Sequence, residues 1–323
     1  MNRTRRLMLG AAAAIPLLGM ERAFSQQYPS KPIRIIIPAS AGTSIDVTAR
    51  YISEPLSKRL NTPVLVEDRP GAGGLLAYAA AARASPDGYT LVLAGIPMYL
   101  LPLLSETPAS FDPQKDFVPV ARVARLPLAV VVPADSPYRT LSDLIRAMKS
   151  KPGEVTYSSQ GVGSTAHLCG VVLNDMSKTS AQHVASKETT TAITDVAGGR
   201  IAFTCQGSAG VLPMIKAGKL RALAVTGTKR WKVLPDIPTV AEAGIQGFEL
   251  SSWLDFMAPA GTPAPVLQVL SDEISRIAQT AAFNEFCERQ VIFPEVLGYK
   301  SLMADMHNEA ARWKRIVQLA RGS

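Results

Sequence analysis

With 323 residues, 47% hydrophobic and 19% charged, the chain is too apolar for a disordered polymer and long enough for one large or two medium cores. Its net charge of +8 comes from scattered lysines and arginines, without the interleaved basic and aromatic run that single-stranded nucleic acid requires. Three cysteines, Cys169, Cys205 and Cys287, are too few and too far apart for a disulfide scaffold; they read as buried small apolar residues, and their odd number leaves at least one thiol unpaired.

The N-terminus reads as an export signal occupying residues 1–25. Arg3, Arg5 and Arg6 form a basic start, an apolar stretch runs from Leu7 to Met20, and Ala23-Phe24-Ser25 fits a small-x-small cleavage site before Gln26. The apolar stretch is short for a membrane span, which needs about 20 residues. The paired arginines of "TRRLML" suit a twin-arginine signal. Cleavage removes four arginines and Glu21, lowering the charge from +8 to +5. That mild positive field either favours small anionic ligands or serves solubility alone.

Strand and helix signals then alternate. "IRIIIP" (33–38) is a buried strand, and Ile45, Ala49, Ile52, Leu56 and Leu60 form a helical stripe in which Pro55 predicts a kink or division. "PVLVEDRPGAGG" (63–74) is a strand ending in a glycine-rich loop, "LLAYAAAARA" (75–84) a helix and "GYTLVLAG" (88–95) a strand. "FVPVARVAR" (117–125) and "LAVVVPADS" (128–136) read as two strands. Thr140 and Asp143 open a capped helix. "EVTYSSQ" (154–160) precedes "GVGSTAH" and a helix to about Lys178. "AQHVAS" is a strand, "TTAITDVAGG" a glycine-terminated helix, "RIAFTCQ" a strand, "VLPMIKAGK" a short helix and "LRALAVTG" a strand. Residues 265–320 are mostly helical.

This alternation predicts an α/β protein of parallel sheets covered by helices on both faces, and its length favours two α/β domains. Ligands in such folds sit beyond the carboxyl ends of the strands, so loops 39–44, 70–74, 95–99, 160–165 and 187–190 are the places for a site.

The motifs exclude more than they assign. "RPGAGGLLA" lacks the Gly-Lys-Ser/Thr of a phosphate loop. Gly161, Gly163 and Ala166 match G-x-G-x-x-A, with Glu188 22 residues beyond Ala166, a short pattern that chance often produces. The same glycines would let any anion reach the N–H groups of a helix N-terminus. No nucleophile elbow is present. Ser164 and His167 fall on one helical face and make a conceivable dyad with no third member; the alternative is a histidine that packs or bonds locally. His167-x-Cys169 is not a metal site. The chain is therefore expected to be a binding protein rather than an enzyme, with neither cofactor nor metal.

At the level of ordered motifs the chain resembles the Bordetella uptake gene (Bug) family, periplasmic solute-binding components of tripartite tricarboxylate transporters. The segments are "YPSKPIRIIIPASAG", "VEDRPGAGG", "SPDGYTLVLAG", "SSQGVGSTAHL", "LRALAVTGTKR", "LPDIPTVAEAGIQGFELSSW" and "APAGTP". The resemblance spans nearly all of the chain after the signal. It implies a type II periplasmic-binding-protein (Venus-flytrap) fold, with domain 1 at 26–124 plus 229–323 and domain 2 at 125–228 around a ligand cleft. It further implies a small organic acid or amino acid as ligand, held by its carboxylate between loops Ala39–Asp46 and Ser158–His167. Carried over, Ser40, Ala41, Gly42, Thr43, Ser159, Gly163, Ser164, Thr165, His167 and Ser186 are ligand-site residues, and Asp46 caps a helix or positions water. Membrane permease subunits are the implied partners of a monomeric periplasmic protein. Three departures bear on ligand identity: Thr43 replaces a usual glycine, "VASKE" stands for "VPYKG", placing Ser186 at Tyr and Glu188 at Gly, and Ala202 replaces Asp. A receptor that signals without transport, and a Ser164/His167 hydrolase, are the alternative readings.

Overall fold

Four isoleucines of β1 (Ile33–Ile37) have no exposed surface, because both faces of the strand are covered. Ile33, Ile35 and Ile37 pack against Ile52 and Leu56 of α1 (Ser44–Leu60) and Leu270 and Ile274 of α8 (Ala264–Ala278). Ile36 faces the other way, onto Ala77 and Tyr78 of α2 (Leu75–Ala82). An unbroken β-branched run is what a strand buried on both faces requires. The computed structural model describes residues 28–104, 109–186 and 188–321. The export signal expected at 1–25 lies outside the described residues.

β1 pairs in parallel with β2 (Val64–Asp68) and β3 (Thr90–Ala94). β9 (Ser251–Pro259) then runs antiparallel between β3 and β4 (Phe117–Pro133). β4 is the axis of the molecule. Its first part pairs with β9 and with β10 (Phe293–Gly298). From Leu128 onward it pairs with β7 (Phe203–Gly207) and, from Ala129, with β8 (Leu220–Val225). β5 (Thr156–Ser159) lies parallel between β7 and β6 (Gln182–Ala185). The sheet is thus mixed rather than parallel, and the two strands expected over 117–136 are one strand of 17 residues. Pro119 and Pro127 do not end it, because register shifts at Pro119/Ala121 and Arg122/Ala124 let a bulged strand change partners.

Two further expectations change. Pro55 does not divide α1, since burial of Ile52 and Leu56 on either side offsets the lost hydrogen bond. α3 (Ile96–Leu104) begins directly after Gly95, where a loop was expected, and Pro97 sits in its first turn, where no N–H is required. Thr140 and Asp143 form the expected capping box of α4 (Leu141–Ser150). The second half of the sheet is covered by Leu144 of α4 and Leu168 of α5 (Thr165–Ser177) on one face. Its other face carries Ile193 of α6 (Thr189–Ala197) and Val211 of α7 (Ser208–Lys216). All three cysteines are fully buried, but two are not free thiols: Cys169 of α5 and Cys205 of β7 form a disulfide, and Cys287 of α9 (Ala281–Gln290) is unpaired. Sequence distance misled here; α5 packs directly over β7, which brings the Cα atoms to 6.3 Å.

Arg122, in the first half of β4, is fully buried and holds four elements together. It makes two hydrogen bonds, of 2.8 and 3.0 Å, with Asp255 of β9, and one of 2.6 Å with Asp305 of α10 (Tyr299–Arg321). A longer bond of 3.3 Å reaches Glu295 of β10, and the guanidinium lies over the Trp253 ring. Burial pushes the Asp255 carboxyl up to about 6, against the pull of Arg122. The forked geometry with Arg122 is that of a charged pair. Replacing Arg122 by Met is expected to cost about 3–5 kcal/mol in urea denaturation, because Asp255 stays buried without its partner. The Arg122→Met/Asp255→Leu double variant is expected to recover a large part of that loss; equal loss in both would contradict the assignment.

Candidate functional site

The first candidate loop leaves β1 at Pro38 and enters α1. Thr43 is the helix N-cap: its Oγ1 accepts from Asp46 N–H and donates to the Ser40 carbonyl at 2.9 Å. Gly42, at φ +79°, turns its N–H onto Asp46 Oδ2 at 2.7 Å. The other Asp46 oxygen accepts from Arg50 Nε at 2.6 Å, and Arg50 also reaches both oxygens of Asp68. Asp46 is buried and joins the N–H of Gly42, just ahead of the cap, to Arg50 on the helix. Ser40, Ala41 and Gly42 lie exposed on the loop.

The second loop repeats this design between β5 and α5. Ser164 is the N-cap, accepting from His167 N–H at 3.2 Å and donating its hydroxyl proton to the Gly161 carbonyl at 2.8 Å. Gly163 N–H donates to His167 Nδ1 at 3.3 Å. Ser159 Oγ accepts from Gly161 N–H at 3.1 Å and lies 2.7 Å from Nε2 of His183 on β6. Ser186 N–H is bonded to the Ser159 carbonyl. Thr165 is half-buried at the first turn of α5. Gln160 ties the loop to its neighbours, donating to Thr189 Oγ1 at 2.8 Å and Gln206 Oε1 at 2.9 Å.

The two loops belong to opposite halves of the sheet, and between them lie a glycine turn and one side chain. A Cβ on Gly74 would lie 2.8 Å from Pro38, so the 71–74 turn sits against the first loop. A Cβ on Gly73 would lie 3.0 Å from Leu101 of α3, and one on Gly163 only 2.7 Å from the same leucine. Leu101 therefore bridges the glycine turn and the second loop. α3 carries this contact because Ile96 and Leu100 share a core with Leu168 of α5 and Trp313 and Ile316 of α10. Sequence reasoning did not name Leu101, Gln160, Gln206 or His183. Leu101 lies just beyond the 95–99 loop, in a stretch to which the sequence pattern assigned no element, and His183 sits on a strand whose side-chain direction sequence alone does not give.

Each predicted dyad member is otherwise occupied. Ser164 Oγ bonds the backbone of residues 161 and 167, and the His167 ring bonds Gly163 N–H. The serine–histidine side-chain contact that forms is Ser159–His183. The two histidine rings lie 4.5 Å apart, centroid to centroid, and Tyr157 lies against both. Among the described residues no cluster of His, Cys, Asp or Glu could hold a metal ion, and no helix is long and apolar enough to cross a membrane. A cavity of about 330 Å³ lies elsewhere, between α8 and the β10–α10 junction.

Burial, and then the neighbouring His183, depress the His167 pKa from 6.5 to about 4. Between those values the unfolded chain binds a proton that the folded protein excludes. Stability is therefore expected to fall as pH drops from about 6.5 towards 4, and to level off below that, by up to about 3 kcal/mol. Urea midpoints across this range check it. His167→Asn, whose oxygen can take the place of Nδ1, should flatten the slope; an unchanged slope would remove His167 as its source.

The profile of the tripartite tricarboxylate transporter family receptor matches residues 48–321. Protein BugT of Bordetella pertussis is 33% identical over 292 residues, 90% of each chain. A Rhodopseudomonas palustris protein solved with adipate superposes with a TM-score of 0.84 at 28% identity, covering 91% of this chain and 98% of its own. MatC of the same organism, solved with bound malate, gives 0.78 at 26% identity over 90% of this chain and 100% of its own. A fold built on β4 and two capped strand-to-helix loops, with these matches along nearly its whole length, makes the chain a member of the Bug-type solute-binding receptors of the tripartite tricarboxylate transporter family.

Proposed function

We propose that the protein captures a small organic carboxylate between loops Ala39–Asp46 and Ser158–His167 and delivers it to membrane permease subunits. The observation that carries this reading is the pair of capped helix N-termini, one from each half of the sheet, linked through Gly73, Leu101 and Gly163. Adipate and malate in related structures support the ligand class. Arg50, which follows the first loop on α1, is committed to Asp46 and Asp68. Attraction for the anion then comes from oriented N–H groups, each charge-assisted bond contributing roughly 1.5–3 kcal/mol.

In this reading the chain starts at Gln26 after export and works as a monomer in the periplasm. Residues 26–124 with 229–323, and 125–228, are its two closing domains, an arrangement supported by the change of β4 partners around Pro127 and Leu128. The ligand leaves chemically unchanged, consistent with the engagement of Ser164 and His167 by backbone groups.

A thermal-shift panel of adipate, malate, amino acids and neutral amide analogues tests the reading. A binder at a hundred times its Kd is expected to stabilise the protein by about 2.7 kcal/mol, a shift of several degrees. Shifts confined to the neutral analogues would refute carboxylate capture. Gly163→Ala sets a methyl group against Leu101 at a positive φ of 82° and is expected to weaken binding at least about tenfold. Adding Leu101→Ala should restore part of that affinity in titration calorimetry.

A further inference from the structure

The second loop depends on a residue outside it. Ser159 Oγ has one proton and several neighbours: Gly161 N–H at 3.1 Å, the Gly161 carbonyl at 3.1 Å and His183 Nε2 at 2.7 Å. The Gly161 carbonyl already accepts from both the N–H and the hydroxyl of Ser164, at 3.2 and 2.8 Å. The proton is therefore best directed at His183 Nε2, which leaves the lone pairs of Ser159 facing Gly161 N–H. This assigns His183 the tautomer protonated on Nδ1. Gly161 is at φ +109° and Gly163 at +82°, conformations that local bonds must hold. His183 comes from β6, whose register places it beside Tyr157 of β5, directly under the loop.

We propose that His183 is a positioning residue of the ligand site: by orienting the Ser159 hydroxyl it fixes Gly161 N–H and, with it, the approach to the N-terminus of α5. Neighbouring His167 does the same for Gly163 N–H, so the two histidines hold alternate amides of the loop. Those amides are thereby spent inside the protein, and the N–H groups left to an anion are those their fixation exposes. Burial lowers the pKa of both rings, which keeps both neutral at pH 7.

The consequence for affinity rests on the carboxylate reading above; the consequence for loop order does not. Hydrogen exchange of the 159–166 segment in the full ligand-free protein decides the second. His183→Leu and Ser159→Ala should each accelerate exchange there by about tenfold, and the double variant no more than either alone. His183→Gln, which restores a polar atom near Nε2, should exchange within about two- to threefold of the unaltered protein. If His183→Leu does not fold, Ser159→Ala against His183→Gln carries the comparison. Exchange at the unaltered rate in Ser159→Ala, or additive effects in the double variant, would overturn the assignment. Adipate titration of the same proteins tests affinity, with a loss of about tenfold expected in His183→Leu. No adipate binding by the unaltered protein would count against the functional reading, while the exchange result would still decide the role of His183.

Discussion

A single strand belongs to both halves of this molecule, and a buried guanidinium holds it in place. β4 spans the junction, because the same backbone supplies ladder bonds to β9 and β10 and then to β7 and β8. Arg122 ties that strand to β9, β10 and α10 through three carboxylates. Such a group is poor value as bulk stabilisation, since desolvation cancels much of the Coulomb gain. Its worth lies in geometry. A planar fork accepts few arrangements of its partners, so the strands at the junction keep one relation while the loops beyond them can differ.

The candidate site follows a different economy. Both loops begin helices with a hydroxyl cap three residues ahead of a bonded N–H, and neither contains a lysine or arginine of its own. An anion is met by dipoles already aligned by the fold, which need no rearrangement when it arrives. Neutral histidines beneath the second loop suit that arrangement, because they accept or orient hydrogen bonds without adding a charge that the buried environment would have to bear. The departures from the usual motif also gain meaning. Thr43 spends its hydroxyl on the helix cap and the Ser40 carbonyl, an internal task that a glycine leaves undone. Glu188 is exposed at the N-cap of α6, near the loop end of β6.

Much of the fold was legible because its strands are short and its caps explicit. The isoleucine run gave β1, Thr140 with Asp143 gave α4, and Gly161–Ala166 marked a strand-to-helix turn. The parallel sheet inferred from alternation failed along β4, which runs antiparallel to β7, β8, β9 and β10; such pairings are set by distant partners rather than by local pattern. Pro119 and Pro127 hid the continuity of β4, since a proline ordinarily argues against a central strand. The cysteine pair was invisible for a related reason: nothing in a 36-residue separation says that a helix lies over a particular strand. In the site, the loop residues could be named but their roles could not. Whether a serine faces ligand or caps a helix depends on its rotamer, and the Ser159–His183 contact joins residues 24 apart through strand register.

The position of β9 has a consequence for biogenesis. The strands β4 to β8 that build the second half of the sheet are contiguous in the chain, so that half can close as soon as β8 is complete. The first half cannot. β3 and β4 are neighbours in sequence but not in the sheet, and the gap between them is filled by β9, which emerges long afterwards. Until it arrives, both strands present bare edges, the kind of surface that recruits unintended partners. A newly made chain of this design is most exposed to aggregation in the half that is synthesised first and finished last.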